Sequence, residues 1–193
     1  MLATDRDPTT TPGWFNHGAK ILELVEQYQP KVCVELGTWQ GASAIPVARA
    51  IRRWGGTVTC VDTWAGDVRQ SAAVRDAAPW MLVSCARHIM AAGVGGNVRL
   101  IPATTREAAA WWTGPIDYLY IDADHSVEGV RADVEVIDRP GGLIVGDDYG
   151  HRVFPGVKSA WDAFEDIHGL TLTRYQSDPP DPDGIQLIYG IKE

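Results

Sequence analysis

Residues 32–62, VCVELGTWQGASAIPVARAIRRWGGTVTCVD, decide the fold. Val32 to Val34 is a short apolar run that suits a buried strand. Gly37 and Gly41 follow, where the backbone can turn tightly. From Ser43 to Trp54 the apolar spacing is helical, and Gly55-Gly56 stops it. Thr57 to Asp62 is a second strand. Strand, glycine turn, helix and strand form a βαβ unit, and its two strands run parallel.

The same alternation extends on both sides. Upstream, Ala19, Leu22, Val25 and Glu26 follow a helical spacing, widened by Ile21, Leu24 and Tyr28. That helix ends at Gln29-Pro30, because a residue before proline leaves the α region. Residues 1–13, rich in Thr, Asp and Pro, read as a flexible arm, which leaves 14–193 as a single domain. Downstream, the spacing predicts a long helix over 73–92, a strand from Val98 to Ile101 and a short helix from Thr104 to Trp112. A strand over Ile116–Ile121, a helix over Ser126–Ile137 and a strand opening at Leu143 to Gly146 come next. A helix over Val157–Ile167 precedes two closing strands, Leu170–Tyr175 and Ile185–Ile191, with no helix between them. The expected architecture is α/β: a doubly wound, mainly parallel seven-stranded sheet with an antiparallel C-terminal edge hairpin.

Composition narrows the function. The apolar fraction of 45% in 193 residues supports a real core. A formal charge of −8 disfavours a phosphate backbone as partner, so no nucleic acid is expected. No apolar stretch reaches the roughly 20 residues that a membrane span needs. The N-terminus lacks a signal layout. Three widely spaced cysteines, Cys33, Cys60 and Cys85, read as those of a reduced cytoplasmic protein, with Cys33 and Cys60 in apolar runs that suit buried thiols.

In an open parallel sheet, ligands bind beyond the carboxyl ends of the strands, near the point where strand order reverses. The first such end carries Glu35-Leu-Gly37-Thr38-Trp-Gln-Gly41-Ala-Ser43, and the second ends in Asp62. An acid about 25 residues beyond the first glycine has the spacing of a ribose-binding carboxylate. Trp39 occupies the place of the second glycine of G-x-G-x-x-G, so a pyrophosphate is disfavoured and a cofactor without phosphates is not. Ile121-Asp122-Ala-Asp-His125 and Gly146-Asp147-Asp148-Tyr149 then close the fourth and fifth strands. Neighbouring strands lie about 4.8 Å apart. Asp122, Asp147 and Asp148 therefore converge, and with no lysine or arginine in either motif a hard divalent ion such as Mg²⁺ is the simplest neutraliser. Helix capping, or pairing with Arg131 or Arg152, is the competing use of these acids.

These motifs resemble class I S-adenosylmethionine-dependent methyltransferases. The closer resemblance is to the metal-dependent small-molecule O-methyltransferases of the catechol and caffeoyl-CoA type, with their bacterial sugar and macrolide relatives. ELGTWQGAS is similar to their first motif, VDTW to the ribose acid motif, IDADH to I-D-A-D-K, and GGLIVGDDY to G-G-x-I-x-x-D-[DN]. The resemblance implies a Rossmann-like fold with S-adenosyl-L-methionine as cofactor and Mg²⁺ as metal. It assigns Glu35, Gly37 and Ser43 to the methionine end of the cofactor, with Thr38 and Gly41 also among the cofactor-binding residues. Asp62 falls to the ribose, with Thr63 among the cofactor-binding residues, Ala103 and Thr104 to the adenine side, where Pro102 replaces a usual glycine, and Asp122 to both cofactor and metal. Asp122, Asp147 and Asp148 become the metal ligands. His125 stands where the catechol-type enzymes carry a lysine base, so the catalytic base is His125 or Asp122; His125 as a helix cap and His151 as a substrate-facing or loop residue stay open.

The expected reaction is transfer of a methyl group to a hydroxyl of a small molecule, a sugar diol or catechol-like acceptor. Two rivals remain at this point: a cofactor-fold relative running N-methylation or oxygenation, and a non-catalytic binding module. Trp39 and Trp64 lie in cofactor-side loops and are read as ligand-stacking. Trp54, Trp80, Trp111, Trp112 and Trp161 are read as core or interface, which leaves a homo-oligomer open.

Overall fold

The chain is described by a computed structural model over residues 15–66, 72–136 and 142–192. The arm expected at 1–13 and Ile137, at the end of the expected 126–137 helix, lie outside the described residues. Helices α1 (Gly18–Tyr28), α2 (Ala44–Ile51), α3 (Ala72–Ala91), α4 (Thr105–Trp111), α5 (Val127–Val136) and α6 (Pro155–His168) alternate with strands. The strands are β1 (Val32–Leu36), β2 (Thr57–Asp62), β3 (Val98–Pro102), β4 (Tyr118–Ile121), β5 (Gly142–Tyr149), β6 (Thr173–Tyr175) and β7 (Gln186–Lys192). A 3-10 turn at Arg52–Trp54 extends α2 to the glycine stop read from the sequence.

The seven strands form one sheet in the order β3-β2-β1-β4-β5-β7-β6. β1 to β5 are parallel, and strand order reverses between β1 and β4. β7 runs antiparallel to both β5 and β6, so the hairpin sits at the sheet edge with its later strand on the inside. The expected Leu170–Tyr175 strand shortens to Thr173–Tyr175 because the residues before it finish α6. Gly169 adopts φ +61, and the Leu170 and Leu172 N–H groups bond to the Glu165 carbonyl and carboxylate.

Strand alternation divides the core into two layers. Cys33, Cys60, Tyr118, Tyr120, Leu143 and Val145 pack toward α1, α2 and α3. Val34, Leu36, Leu119, Ile121 and Ile144 pack toward α4, α5 and α6. Trp161 of α6 is fully buried, and only a glycine at 146 leaves it room, since a Cβ there would lie 2.3 Å from its ring. Cys33, Cys60 and Cys85 are free and buried. Among the described residues no helix is long and apolar enough to cross a membrane.

Candidate active site

The register of the parallel strands sets the site. Leu36, Val61, Ile121 and Gly146 pair in one row across β2, β1, β4 and β5. The next residue on each strand is therefore Gly37, Asp62, Asp122 or Asp147. Four positions singled out from separate motifs occupy one line at the carboxyl edge of the sheet, at the strand-order reversal.

On the β1 side, Glu35 is 1% exposed and accepts a hydrogen bond from the Ser43 hydroxyl at 2.9 Å. Burial pushes its carboxyl up to about 8, a shift the Ser43 bond opposes and the nearby Asp122 and Asp62 charges increase. No ion pair among the described residues neutralises it. Gly37 has φ +85, and a Cβ on it would lie 2.0 Å from the Asp122 carbonyl oxygen. Its glycine is thus required by the adjoining β4 end. Gly41 has φ +89 and closes the turn by donating to the Thr38 carbonyl. Thr38 is buried.

Asp62 organises the next loop. Its Oδ2 accepts from Trp39 N–H at 2.8 Å and its Oδ1 from Trp64 N–H at 2.7 Å. Both tryptophans have left-handed backbones, φ +51 and +49, so the carboxylate holds two strained turns in place. Trp64 is 3% exposed and donates its indole N–H to the Trp39 carbonyl, which places it in the core rather than against a ligand. The Thr63 hydroxyl accepts from Ala65 N–H. Ala103 N–H bonds the Asp62 carbonyl, and Thr104 caps α4 in a capping box with Glu107.

On the β4–β5 side, Asp122, His125 and Asp148 offer ligand atoms that all lie within 4.8 Å of one another. His125 Nε2 is 2.7 Å from Asp148 Oδ2 and 3.6 Å from Asp122 Oδ1. Enclosure of the cluster works against a charged ring, but the bonds and charges of both acids outweigh it and hold His125 protonated well above the usual histidine range. Asp122 is shifted upward by enclosure, against the His125 bond and with the charges of Asp147 and Asp148. His125 is not the cap of α5. Ser126 accepts from Gly129 N–H, and Asp124 accepts from Ser126 N–H.

Asp147 and Asp148 part company. Asp147 continues the alternation of Leu143 and Val145 toward the α1–α3 layer, where its carboxylate meets Tyr120 and His17. A register shift between Gly146 and Tyr149, with φ +58 at Asp148, turns Asp148 to His125. Of the three expected aspartates, Asp122 and Asp148 meet His125 in a group that could hold a metal ion, while Asp147 lines a cleft with Asp122 and His125.

A methyltransferase-domain family model matches residues 34–149, more than half of the 193. The chain belongs to this methyltransferase family. No curated relative matches the sequence. Solved structures do. An O-methyltransferase from Bacillus cereus in complex with SAH is 19% identical, with 99% of this chain and 94% of that one covered and a TM-score of 0.67. An SAH-bound methyltransferase from Podospora anserina is 18% identical over 92% and 78% of the two chains, TM-score 0.68. TomG from Streptomyces achromogenes, an O-methyltransferase involved in tomaymycin synthesis and solved with SAM, is 18% identical over 98% and 92%, TM-score 0.64. At these identities the likeness establishes the fold.

Three contributors to the methyltransferase site were not visible in its motifs. Phe154 stacks on His125 at 4.4 Å and on His151 at 4.7 Å, so one aromatic ring touches both histidines. His151 Nδ1 also accepts from Val153 N–H. Tyr120 and His17 meet Asp147 across 27 and 130 residues. Only the alternation of Tyr118 and Tyr120 within β4 hinted at the first of these.

The buried Glu35 makes a pH prediction. Between its ordinary 4.5 and about 8, the folded methyltransferase keeps a proton that the unfolded chain has lost. Unfolding then releases that proton, so ligand-free stability falls as pH rises through this window. Glu35→Gln keeps an acceptor for Ser43 and removes the titration. Thermal melts at about pH 5 and about pH 8 are expected to give a variant that gains several degrees on the wild type at the higher pH. Parallel pH profiles for the two proteins would refute the assignment.

Proposed function

We propose that this chain is an S-adenosylmethionine-dependent O-methyltransferase, assisted by a divalent cation, that acts on a small molecule with two adjacent oxygens. The observation that carries the reading is the row of acids at the sheet's carboxyl edge, with the Asp122–His125–Asp148 cluster at one end and the unneutralised Glu35 on the adjoining β1. The donor chemistry fits both groups. A buried carboxyl with no cationic partner is suited to an amino group, and two carboxylates with an imidazole are suited to Mn²⁺ or a similar ion as well as Mg²⁺. The names of the solved relatives, SAH- or SAM-bound and O-methyltransferases among them, support the same reading.

When bound, the cofactor supplies an electrophilic methyl group and the cation lowers the pKa of an acceptor hydroxyl. The chain's own residues do the rest. Glu35, seated by Ser43, receives the amino end of the cofactor, and Gly37 and Gly41 shape the turn that carries it. Asp62 faces the ribose, with Thr63 beside it, while Ala103 and Thr104 border the adenine. Asp122, His125 and Asp148 hold the cation, with Asp147 behind them. A cation on Asp122 and Asp148 would offset the charges that keep His125 protonated, and the neutral imidazole, or Asp122 if the imidazole is taken up as a ligand, would then receive the acceptor's proton. Residues 14–193 act as one catalytic domain, and the same acidic edge that suits a cation disfavours a nucleic-acid partner.

The test is methyl transfer from labelled S-adenosylmethionine to a catechol and to a vicinal sugar diol, with and without EDTA. Activity that EDTA removes and Mg²⁺ or Mn²⁺ restores is expected. Full activity in EDTA would eliminate the cation, and a calorimetric titration in which S-adenosylhomocysteine fails to bind would eliminate the enzyme reading itself.

A further inference from the structure

His17, which precedes α1, plays no part in the roles above, yet it is only 3% exposed and reaches the acid row. Its Nδ1 lies 3.3 Å from Asp147 Oδ1. Facing a carboxylate, this nitrogen is the ring's donor. The Tyr120 hydroxyl donates to Asp147 Oδ2 at 2.8 Å, and the Asp148 backbone N–H donates to Oδ1 at 2.9 Å. Donors from the start of α1, from β4 and from β5 thus converge on one carboxylate.

Stability alone does not ask for histidine at this place. Nε2 is buried with no partner among the described residues, and Tyr175 meets the ring only edge-on, with centroids 6.1 Å apart. A buried ring nitrogen without a partner carries a desolvation cost that phenylalanine would avoid. What histidine adds is the Nδ1 bond. Asp147, in turn, borders the cleft of Asp122 and His125 and is tied to the Asp148 backbone at the bulge that aims Asp148 at His125.

We propose that His17 is a positioning residue of the cation site: its Nδ1 bond fixes the Asp147 carboxylate and, through it, the Asp148 bulge, so that Asp122, His125 and Asp148 are preorganised to close on a divalent ion. The inference rests on the cation reading given under Proposed function. It makes the segment entering α1 part of the site, although that segment is 130 residues from Asp147 in sequence. Outer partners of this kind orient ligating side chains, and their loss typically costs about 10–100-fold in metal affinity.

The experiment is Mn²⁺ binding, followed by the electron paramagnetic resonance of the free ion, for the full chain and three variants. The amide nitrogen of His17→Asn occupies the place of Nδ1, whereas that of His17→Gln reaches toward Nε2. His17→Phe keeps the ring volume and removes the donor. His17→Phe and His17→Gln are expected to weaken Mn²⁺ about tenfold or more, and His17→Asn to restore it to within about threefold of wild type. S-adenosylhomocysteine affinity, measured by calorimetry, is expected to stay unchanged throughout. Wild-type Mn²⁺ affinity in His17→Phe, or equal weakening in the Asn and Gln variants, would overturn the proposal while leaving the cation site standing. Wild-type protein that binds S-adenosylhomocysteine but no Mn²⁺ would sink the cation reading and this proposal together. If His17→Phe fails to fold, the contrast between Asn and Gln decides.

Discussion

Gly37→Ala is expected to cost the fold roughly 3 kcal/mol or more and to dislodge the cation cluster with it. Two effects add at this position. The backbone stands at φ +85, where an L side chain costs about 1–2 kcal/mol. The new methyl group would also sit 2.0 Å from the Asp122 carbonyl oxygen, 2.6 Å from its carbonyl carbon and 2.7 Å from Ala123 Cα. These are backbone atoms at the end of β4 and cannot swing aside as a side chain would. Relief requires β1 and β4 to separate where Asp122 N–H bonds the Leu36 carbonyl at 2.9 Å. Gly55→Ala is the control: its φ is +80, and nothing lies within 4 Å of the added carbon. It is expected to show the conformational cost alone, about 1 kcal/mol. Denaturant melts of both variants check the difference, and Mn²⁺ binding checks the site. Equal destabilisation by the two substitutions would mean that the close approach of β1 to β4 does not constrain position 37.

The fold was legible because its signals are local. The glycines bounding residues 37–56, the helical run between them and the acids at strand ends each mark one element, and right-handed βαβ connections leave few ways to assemble them. The alignment of Gly37, Asp62, Asp122 and Asp147 follows from that assembly, since parallel neighbours in register bring equivalent strand ends level. Less legible was the direction of each side chain. Asp147 and Asp148 are adjacent in a strand, and alternation alone sends adjacent residues to opposite faces. The bulge that delivers Asp148 to His125 has no marker in GDDY beyond aspartate's tolerance of a left-handed backbone. The tryptophans divide by the same logic. Trp161 fills space left by Gly146, a pairing across strand and helix that neither residue announces, while Trp64 turns inward because Asp62 and the Trp39 carbonyl capture its two N–H groups. His17 was beyond reach altogether, because a single histidine ahead of a helix carries no spacing that points to a strand end 130 residues on.

Asp148→Asn is expected to lower methyl transfer about 10²–10³-fold while leaving the fold and S-adenosylhomocysteine binding intact. Asparagine tolerates φ +58 as aspartate does, so the bulge survives, and the side chain keeps an oxygen or nitrogen within reach of His125. What disappears is one of two negative charges in the Asp122–His125–Asp148 cluster. A cation that stabilises a developing alkoxide is worth several kcal/mol, and each 1.4 kcal/mol is a tenfold change in rate. The variant also alters the pH dependence of ion binding in a definite direction. Bonds to Asp122 and Asp148 keep His125 protonated well above its ordinary range, so an incoming cation must displace that proton. Wild-type affinity for Mn²⁺ should therefore rise with pH, by up to about tenfold per unit when one proton is released. Removing the Asp148 charge lets His125 give up its proton at lower pH. The variant's affinity should accordingly be weaker at every pH but level off sooner as pH rises. Calorimetric Mn²⁺ titrations from mildly acidic to mildly alkaline buffer, beside initial rates of methylation, check both parts. A variant that methylates at the wild-type rate would remove the cation from the mechanism, and one with weakened binding but an unchanged slope would leave the cation and take His125 out of its coordination.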